Sequence, residues 1–259
     1  MITTDLEEYL QRPFAPPAPG VLETIDASPI ARPADALGLG DLDRLLDPEP
    51  LPVETGWCWT PERVAYVAVR SEMPGVSGEM WDWWFDWHPR DPLRYRIWYP
   101  GSHLDIAFEP PPTPGEKPHW GATHYPVEDV GLGRQVIRIQ FRRPTEYGYS
   151  TDALADPRIG TIVGGFVGSQ RERARVGVVS HVFLRDGDGV VLRSRFWLGG
   201  MLRPDVPGRV GDGIGWLMNR PPVRRAVLPA ALPQRLARHC AIEYARLAAI
   251  LPELHERYA

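Results

Sequence analysis

Cysteine is scarce in this chain: Cys58 and Cys240 are its two cysteines among 259 residues, and they form no CxxC or CxxH motif. A disulfide framework is therefore not expected, and a reducing compartment is. No apolar run approaches the roughly eighteen residues of a membrane span. The N-terminus carries acidic residues where a signal peptide needs basic and then apolar ones. We therefore expect a cytoplasmic protein with no membrane partner.

The chain also has no excess of positive charge: it contains 29 Lys and Arg and 33 Asp and Glu, which gives a net charge of −4. Duplex nucleic acid calls for a clearly basic face, so no nucleic-acid partner is expected. The sequence has no GxGxxG after a strand pattern, no GxxxxGK[ST] and no GxSxG. Nucleotide cofactors and serine-hydrolase chemistry are therefore not expected.

Glycine (25 residues) and proline (29 residues) are abundant by contrast. Together they exceed the usual share of roughly 12%, so the composition predicts few helices and long loops. Tryptophan is abundant as well, with ten residues, six of them between Trp57 and Trp87. This clustering predicts a core or a pocket lined with flat rings.

The sequence divides at about residue 55. Residues 1–55 hold two short helix patterns, 5–11 and 40–46, among proline-rich stretches. A segment of this kind buries little by itself, so we expect an arm that packs on the main body or on a partner subunit. Residues 56–259 are expected to form the main domain.

The main domain shows strand patterns followed by one long helix pattern. Succession of this kind predicts an α+β fold with an antiparallel sheet around the terminal helix, the helix-grip arrangement. Asp-Gly steps at 186–189 predict a hairpin turn, and Ser77 is placed to cap a helix that buries Trp81, Trp84 and Phe85. The predicted elements are strands 63–70, 135–142, 159–166, 176–185 and 190–197, helices 78–87, 93–98 and 233–250, a loop-rich segment 109–133 and a Gly/Pro-rich stretch 199–222 long enough to be a lid.

The terminal helix pattern carries the sharpest chemical signal. Its apolar stripe is Leu236, Cys240, Tyr244, Leu247 and Leu251. On a helical wheel, Glu243 falls roughly 20° from the edge of that stripe and His239 roughly 60°. A carboxylate beside a buried stripe is costly unless it is paired or bound to a metal. Because His239 and Glu243 lie one turn apart, they could hold the same ion, or they could form a plain hydrogen bond on the helix surface.

Two upstream residues extend this pattern. His103 follows a Pro-Gly break, and Glu128 lies in the segment 124–131, HYPVEDVG. Each taken alone is typical of a loop residue. With His239 and Glu243 they would form a set of two histidines and two glutamates. Zinc accepts such a set, and iron, manganese and cobalt accept the same types of ligand.

His181 lies in the middle of a strand pattern. Alternation along that strand places it on one face with Val179 and Phe183. A histidine between apolar neighbours is either a hydrogen-bonded core residue, which the spacing favours, or an acid/base group in a pocket.

Several separated segments resemble the diacetylphloroglucinol hydrolase family, which includes phloretin hydrolase. They are 80–88 (MWDWWFDWH), 93–98 (LRYRIW), 100–103 (PGSH), 124–131 (HYPVEDVG), the strand bearing His181 and the terminal HxxxE. The resemblance extends over about residues 56–251. It implies a Bet v 1-like helix-grip fold, one Zn²⁺ per chain and a homodimer. The implied reaction is hydrolysis of the C–C bond between an acyl group and a phenolic ring, with zinc-activated water as the nucleophile.

The resemblance also implies roles for individual residues. His103, Glu128, His239 and Glu243 match the zinc ligands, His181 matches a histidine that transfers protons, and Tyr95 matches a tyrosine that hydrogen-bonds the substrate. The expected catalytic residues are His181 and Tyr95, either of which would move a proton to or from the ring. Ile106 and Phe196 stand where an asparagine amide and a tyrosine hydroxyl would be expected to contact it. The expected substrate is therefore a small acylated aromatic compound other than diacetylphloroglucinol itself.

Two other classes of function remain as alternatives. The same fold can carry hydrophobic ligands without catalysis, in which case His239 and Glu243 would be a structural pair. A metal-dependent oxygenase would need redox-active iron and open coordination positions, for which four protein ligands leave less room.

Overall fold

The computed structural model describes residues 2–27, 29–30, 32–113, 115–169, 174–206 and 208–259. In these residues, eight strands form one antiparallel sheet, in the order β1-β2-β8-β7-β6-β5-β4-β3. The strands are β1 (Gly56–Trp59), β2 (Ala65–Met73), β3 (His103–Glu109), β4 (Thr123–Glu128), β5 (Gln135–Phe141), β6 (Ile159–Ser169), β7 (Ala174–Asp186) and β8 (Gly189–Pro204). The α-helices are α1 (Ile2–Gln11), α2 (Val21–Ala27), α3 (Gly78–Trp87), α4 (Pro92–Trp98), α5 (Gly208–Met218), α6 (Pro221–Val227) and α7 (Leu232–Tyr258).

The sheet buries both of its faces. Along β2, Val67 and Val69 join one apolar core, while Tyr66 and Ala68 join a second core on the other face. This separation follows from the two-residue period of a strand. The first core contains the buried residues of α3, α4 and α7, and the second contains the turn-rich segment Leu39–Leu46.

Helix α7 packs lengthwise on the sheet and contacts β1 and β2. Four residues of its predicted apolar stripe, Cys240, Tyr244, Leu247 and Leu251, are at most 1% exposed, and the fifth, Leu236, is half-buried against the same core. The helix extends to Tyr258, beyond the predicted end at residue 250. An antiparallel sheet that holds one long C-terminal helix is the predicted helix-grip fold, and the prediction is confirmed.

Helix α3 lies between the sheet and α7. Ser77 caps it by accepting a hydrogen bond from the Met80 backbone N–H, and Trp81, Trp84 and Phe85 are buried as predicted. The hairpin between β7 and β8 also forms at the predicted Asp-Gly step, where Asp186 pairs with Gly189.

The N-terminal segment packs on the main body. Arg246, fully buried on α7, donates hydrogen bonds to the backbone carbonyls of Tyr9, Arg12 and Pro13 at the end of α1. The Tyr9 hydroxyl and the Arg12 guanidinium also bind Glu253 of α7. Contacts to the same chain therefore hold this segment in place.

Three predictions from composition are wrong. The segment expected to be loop-rich, 109–133, contains β4. The Gly/Pro-rich stretch 199–222, expected to be a loop, continues β8 to Pro204 and then forms α5 and α6, with residue 207 outside the described residues. Few helices were expected, whereas seven are present in the described ranges. Glycine and proline weaken local propensity, but pairing with a neighbouring strand and packing of a helix face override it. None of the described helices combines the length and apolar character needed to cross a membrane.

Candidate metal centre

Four side chains predicted as metal ligands converge beside edge strand β3. His103 begins β3 and Glu128 ends β4, and the two residues are direct cross-strand partners. His239 and Glu243 lie one turn apart on α7. Taken alone, each of His103 and Glu128 was typical of a loop residue, but both stand at strand ends where the sheet register brings them together.

The ligand atoms lie close together. Nε2 of His103 is 3.3 Å from Nε2 of His239 and 3.3 Å from Oε2 of Glu243. Nε2 of His239 is 3.4 Å from Oε2 of Glu128 and 3.6 Å from Oε2 of Glu243. One ligand atom each from His103, Glu128 and His239 all fall within 4.8 Å of one another.

Four of the six ligand-to-ligand distances of a four-ligand site are close to those of a tetrahedral zinc site. With Zn–N and Zn–O bonds of about 2.0–2.2 Å, neighbouring ligand atoms of a tetrahedron lie about 3.3–3.5 Å apart. The four measured separations are 3.3, 3.3, 3.4 and 3.6 Å. Two imidazole nitrogens and two carboxylates are also ligand types that zinc prefers. The residues present therefore fit the implied metal in chemistry, and His103, Glu128 and His239 also fit it in spacing.

The site is buried and strongly polar. His103, His239 and Glu243 are 1%, 5% and 8% exposed. Burial by itself would raise the pKa of the Glu243 carboxyl, but the imidazoles of His239 and His103 outweigh it and hold that pKa at about 2. Burial likewise lowers the pKa of His239, but the carboxylates of Glu243 and Glu128 outweigh it and raise that pKa. The cluster thus favours positive charge between its carboxylates, as a divalent cation would provide.

Helix α4 supplies a second layer of contacts. Tyr95 stacks its ring on His103 at 4.2 Å, and its backbone carbonyl lies 3.3 Å from Nδ1 of His103. An Nδ1–H donated to that carbonyl leaves Nε2 of His103 free to bind a metal. The Tyr95 hydroxyl donates a hydrogen bond of 2.8 Å to Oε1 of Glu128. Trp98 donates from Nε1 to the backbone carbonyl of Glu243, 3.1 Å away.

The sequence predicted Tyr95 as a substrate contact and as a proton-transfer residue, and it did not identify Trp98 as part of the site. In the structure the Tyr95 hydroxyl is engaged by a predicted metal ligand. Tyr95 and Trp98 lie three residues apart on one short helix, and this spacing is the signal that could have placed both on the same face.

His181 lies on β7, next to Tyr244 of α7. Its Nδ1 is 2.8 Å from the Ser194 hydroxyl oxygen, and its ring contacts the rings of Tyr244 and Phe196 at 5.1 and 5.5 Å. Burial lowers the pKa of His181 to about 4, so the imidazole is neutral at neutral pH. Phe196 and Ile106, the two apolar residues predicted at substrate positions, are 9% and 6% exposed and belong to the same core as Tyr95.

Three histidines that showed no pattern in the sequence are also buried. His88, His119 and His124 are at most 2% exposed and pack around Phe85 of α3. Burial lowers the pKa of His88 to about 3 and that of His119 to about 4. These groups therefore stay neutral inside the folded protein at neutral pH.

The fold and the site together define a class: a helix-grip protein with a buried cluster of two histidines and two glutamates. The chain belongs to the family described as the DAPG hydrolase PhiG domain, whose model matches residues 37–256. This membership confirms the resemblance seen in the sequence.

Two relatives and one solved structure illustrate the similarity. The chain is 31% identical over 256 residues to the phloretin hydrolase of Eubacterium ramulus, covering 96% of this chain and 88% of that protein. It is 28% identical over 233 residues to the 2,4-diacetylphloroglucinol hydrolase of Pseudomonas protegens, covering 84% and 73%. Norcoclaurine synthase from Thalictrum flavum aligns with a TM-score of 0.36 at 9% identity, covering 76% of this chain and 90% of that one. The fold assignment itself rests on the sheet order and on α7.

Proposed function

We propose that this protein is a zinc-dependent hydrolase that cleaves the C–C bond between an acyl group and a phenolic ring. The single observation that carries the proposal is the convergence of His103, Glu128 and His239, whose ligand atoms lie within 4.8 Å of one another, beside Glu243, whose Oε2 is 3.3 and 3.6 Å from the two imidazole nitrogens. Family membership and the names of two relatives, both hydrolases, support the same reaction class. The name 2,4-diacetylphloroglucinol describes a phenolic ring that carries acyl groups.

His103, Glu128, His239 and Glu243 would hold the ion. When bound, zinc would polarise a carbonyl group and make water a stronger acid. The chain's own contribution is to keep these ligands in one arrangement. Tyr95 holds both Glu128 and His103 in position, because its hydroxyl donates a hydrogen bond to Glu128 and its backbone carbonyl faces Nδ1 of His103.

The reaction adds water across the acyl–ring bond. The acyl carbon gains the hydroxyl and leaves as a carboxylic acid, while the ring carbon gains a proton. A neutral imidazole can accept a proton from water or from a phenol and return it to the ring carbon. His181 is neutral because burial lowers its pKa to about 4, and we assign this proton transfer to it.

Apolar side chains favour an aromatic substrate. Ile106 and Phe196 are buried in the core that also holds Tyr95 and Tyr244. Neither Ile106 nor Phe196 can satisfy a substrate hydroxyl, so a ring that presents polar groups toward them would bind less well. We therefore expect a substrate with fewer polar substituents on that side than diacetylphloroglucinol.

The test combines metal content with turnover. Mass spectrometry of the purified, untagged protein should find about one zinc per chain, and H239A should lose both metal and activity. H255A, a histidine outside the cluster, is the matched control and should keep both. Liquid chromatography with mass detection then follows a panel of acylated phenols, including phloretin and 2,4-diacetylphloroglucinol, for release of the acid and the free ring.

Full activity without any metal would overturn the zinc assignment. Binding of an acylated phenol that is unchanged by a chelator, with no product from any compound, would instead support the carrier alternative. Oxygen uptake that depends on added iron would indicate an oxygenase.

A further inference from the structure

A buried hydroxyl lies directly beside His181. Ser194 Oγ is 2.8 Å from Nδ1 of His181, and the two residues are cross-strand partners on β8 and β7. Ser194 is completely buried and His181 is 7% exposed. Because the strands that carry the two groups are locked in register, this hydrogen bond holds the imidazole in one orientation.

The second ring nitrogen is in a different situation. Within the described ranges, His181 Nε2 has no hydrogen-bond partner, whereas Nδ1 is engaged by Ser194. The ring lies against Tyr244 and Phe196, and the Glu243 carboxylate is near enough to act on its charge. Nε2 is therefore the nitrogen left for a substrate.

The Ser194 hydroxyl also has a second neighbour. Burial raises the pKa of the Cys240 thiol on α7, and the Ser194 hydroxyl acts on that pKa in the opposite direction. A hydroxyl has one hydrogen to donate and two lone pairs that accept. If the hydrogen is directed to the sulfur of Cys240, the lone pairs remain for a proton on Nδ1 of His181.

We propose that Ser194 is the positioning residue for His181: its oxygen accepts a hydrogen bond from Nδ1–H, so that Nε2 presents its lone pair to the candidate site. This inference rests on the proposed function, in which His181 accepts and returns a proton. Free imidazole populates both tautomers, and a buried acceptor on one nitrogen selects between them. Removal of the hydroxyl would leave Nδ1 unpaired in an apolar environment and release the ring.

The chain offers a matched control one residue from His181. Ser180 is also completely buried, and its hydroxyl lies 2.8 Å from the Tyr149 hydroxyl. As the chain neighbour of His181 on β7, it points to the opposite face of the sheet. S180A thus removes a buried hydroxyl of the same size from the same strand pair without touching the imidazole.

The first measurement is the tautomer itself, by ¹⁵N NMR of protein labelled at histidine, with H181Q used to assign the His181 signals. The unaltered protein and S180A should show a single Nδ1–H tautomer, and S194A should show a mixture. S194T keeps a hydroxyl and should retain the single tautomer. An Nε2–H tautomer in the unaltered protein, or an unchanged spectrum in S194A, would overturn the proposal.

The second measurement is steady-state kinetics on a hydrolysed acylated phenol. S194A should lower kcat by roughly 10- to 100-fold, part of what an acid/base group contributes, while KM stays within about twofold. S194T should recover most of kcat, and S180A should leave it unchanged. Equal loss in S180A and S194A would show a general structural effect and count against positioning. If no form hydrolyses any compound, the proposed function fails, and the NMR comparison still decides the role of Ser194.

Discussion

The Nε2 atoms of His103 and His239 lie 3.3 Å apart, although 136 residues separate them in the chain. Helix α4 joins the two elements that carry them, because it contacts both β3 and α7. The Tyr95 ring stacks on His103, while Trp98 donates to the Glu243 carbonyl on α7. Arg246 of α7 donates in return from Nε to the Ile97 carbonyl, 3.1 Å away. The site is thus assembled by a short helix held between an edge strand and the terminal helix.

Tyr95 should act on metal affinity through Glu128. We expect Y95F to keep the ring stacked on His103 but to lose the 2.8 Å hydrogen bond to the Glu128 carboxylate. Partners of this type typically contribute 10- to 100-fold to metal affinity, so zinc should bind about tenfold more weakly or worse. Competition with a chromophoric chelator measures this. Y125F, which removes an exposed hydroxyl bonded to Glu109 from the same strand β4, should leave the affinity unchanged.

Buried neutral histidines should make the fold sensitive to acid. The pKa is about 3 for His88 and about 4 for His119 and His181, because burial disfavours the charged ring. The histidines of the unfolded chain take up protons near pH 6.5, whereas those of the native state do not. The contribution of these neutral rings to the free energy of unfolding is therefore complete above that pH. It is lost as pH falls from about 6.5 toward 4, by roughly 1.4 kcal/mol per unit for each histidine.

Urea unfolding at pH 7.5, 6.0 and 5.0 measures this effect. H119Q should make the unfolding free energy less dependent on pH, by about the contribution of one histidine. An unfolding free energy that stays constant over this range would contradict the assignment of neutral buried rings.

Gly78 should not tolerate a side chain. A Cβ at this position would lie 2.4 Å from the backbone carbon of Gly160, where α3 begins against β6. Because neither backbone can yield easily, we expect G78A to destabilise the protein by roughly 2–4 kcal/mol. The control is G213A in α5, where nothing lies within 4 Å. It should be neutral or stabilise by up to about 1 kcal/mol through helix propensity. Thermal unfolding of both variants distinguishes the two positions.

Arg246 should hold the N-terminal segment. In R246M, the carbonyls of Tyr9, Arg12 and Pro13 lose their buried donor at the end of α1. We expect a loss of roughly 3 kcal/mol or more and faster proteolysis within residues 12–20. R238M, which removes an exposed ion pair with Asp26, should cost less than about 1 kcal/mol. Equal proteolysis of the two variants would show that Arg246 does not restrain this segment.

The strongest local patterns predicted the corresponding elements correctly. Alternation over long β-rich runs predicted the β5 to β8 succession, and the Asp-Gly step predicted their last hairpin. The helix period of α7 predicted its buried stripe. By contrast, β1, β3 and β4 were missed, because short strands near the two ends of the sheet carry little periodicity of their own and form by pairing with a neighbouring strand.

For the site, the sequence by itself determined the types of ligand and one pair of positions. His239 and Glu243 are four residues apart in a helix pattern, so helix geometry alone puts them on one side. Only the tertiary structure decided that His103 and Glu128 meet them, because a sheet register and the packing of α4 join distant parts of the chain. It also decided that His181 forms a hydrogen bond with Ser194, because the β7–β8 register makes the two residues cross-strand partners. Local spacing reflects the geometry of one element, whereas contacts between elements depend on how the whole core packs.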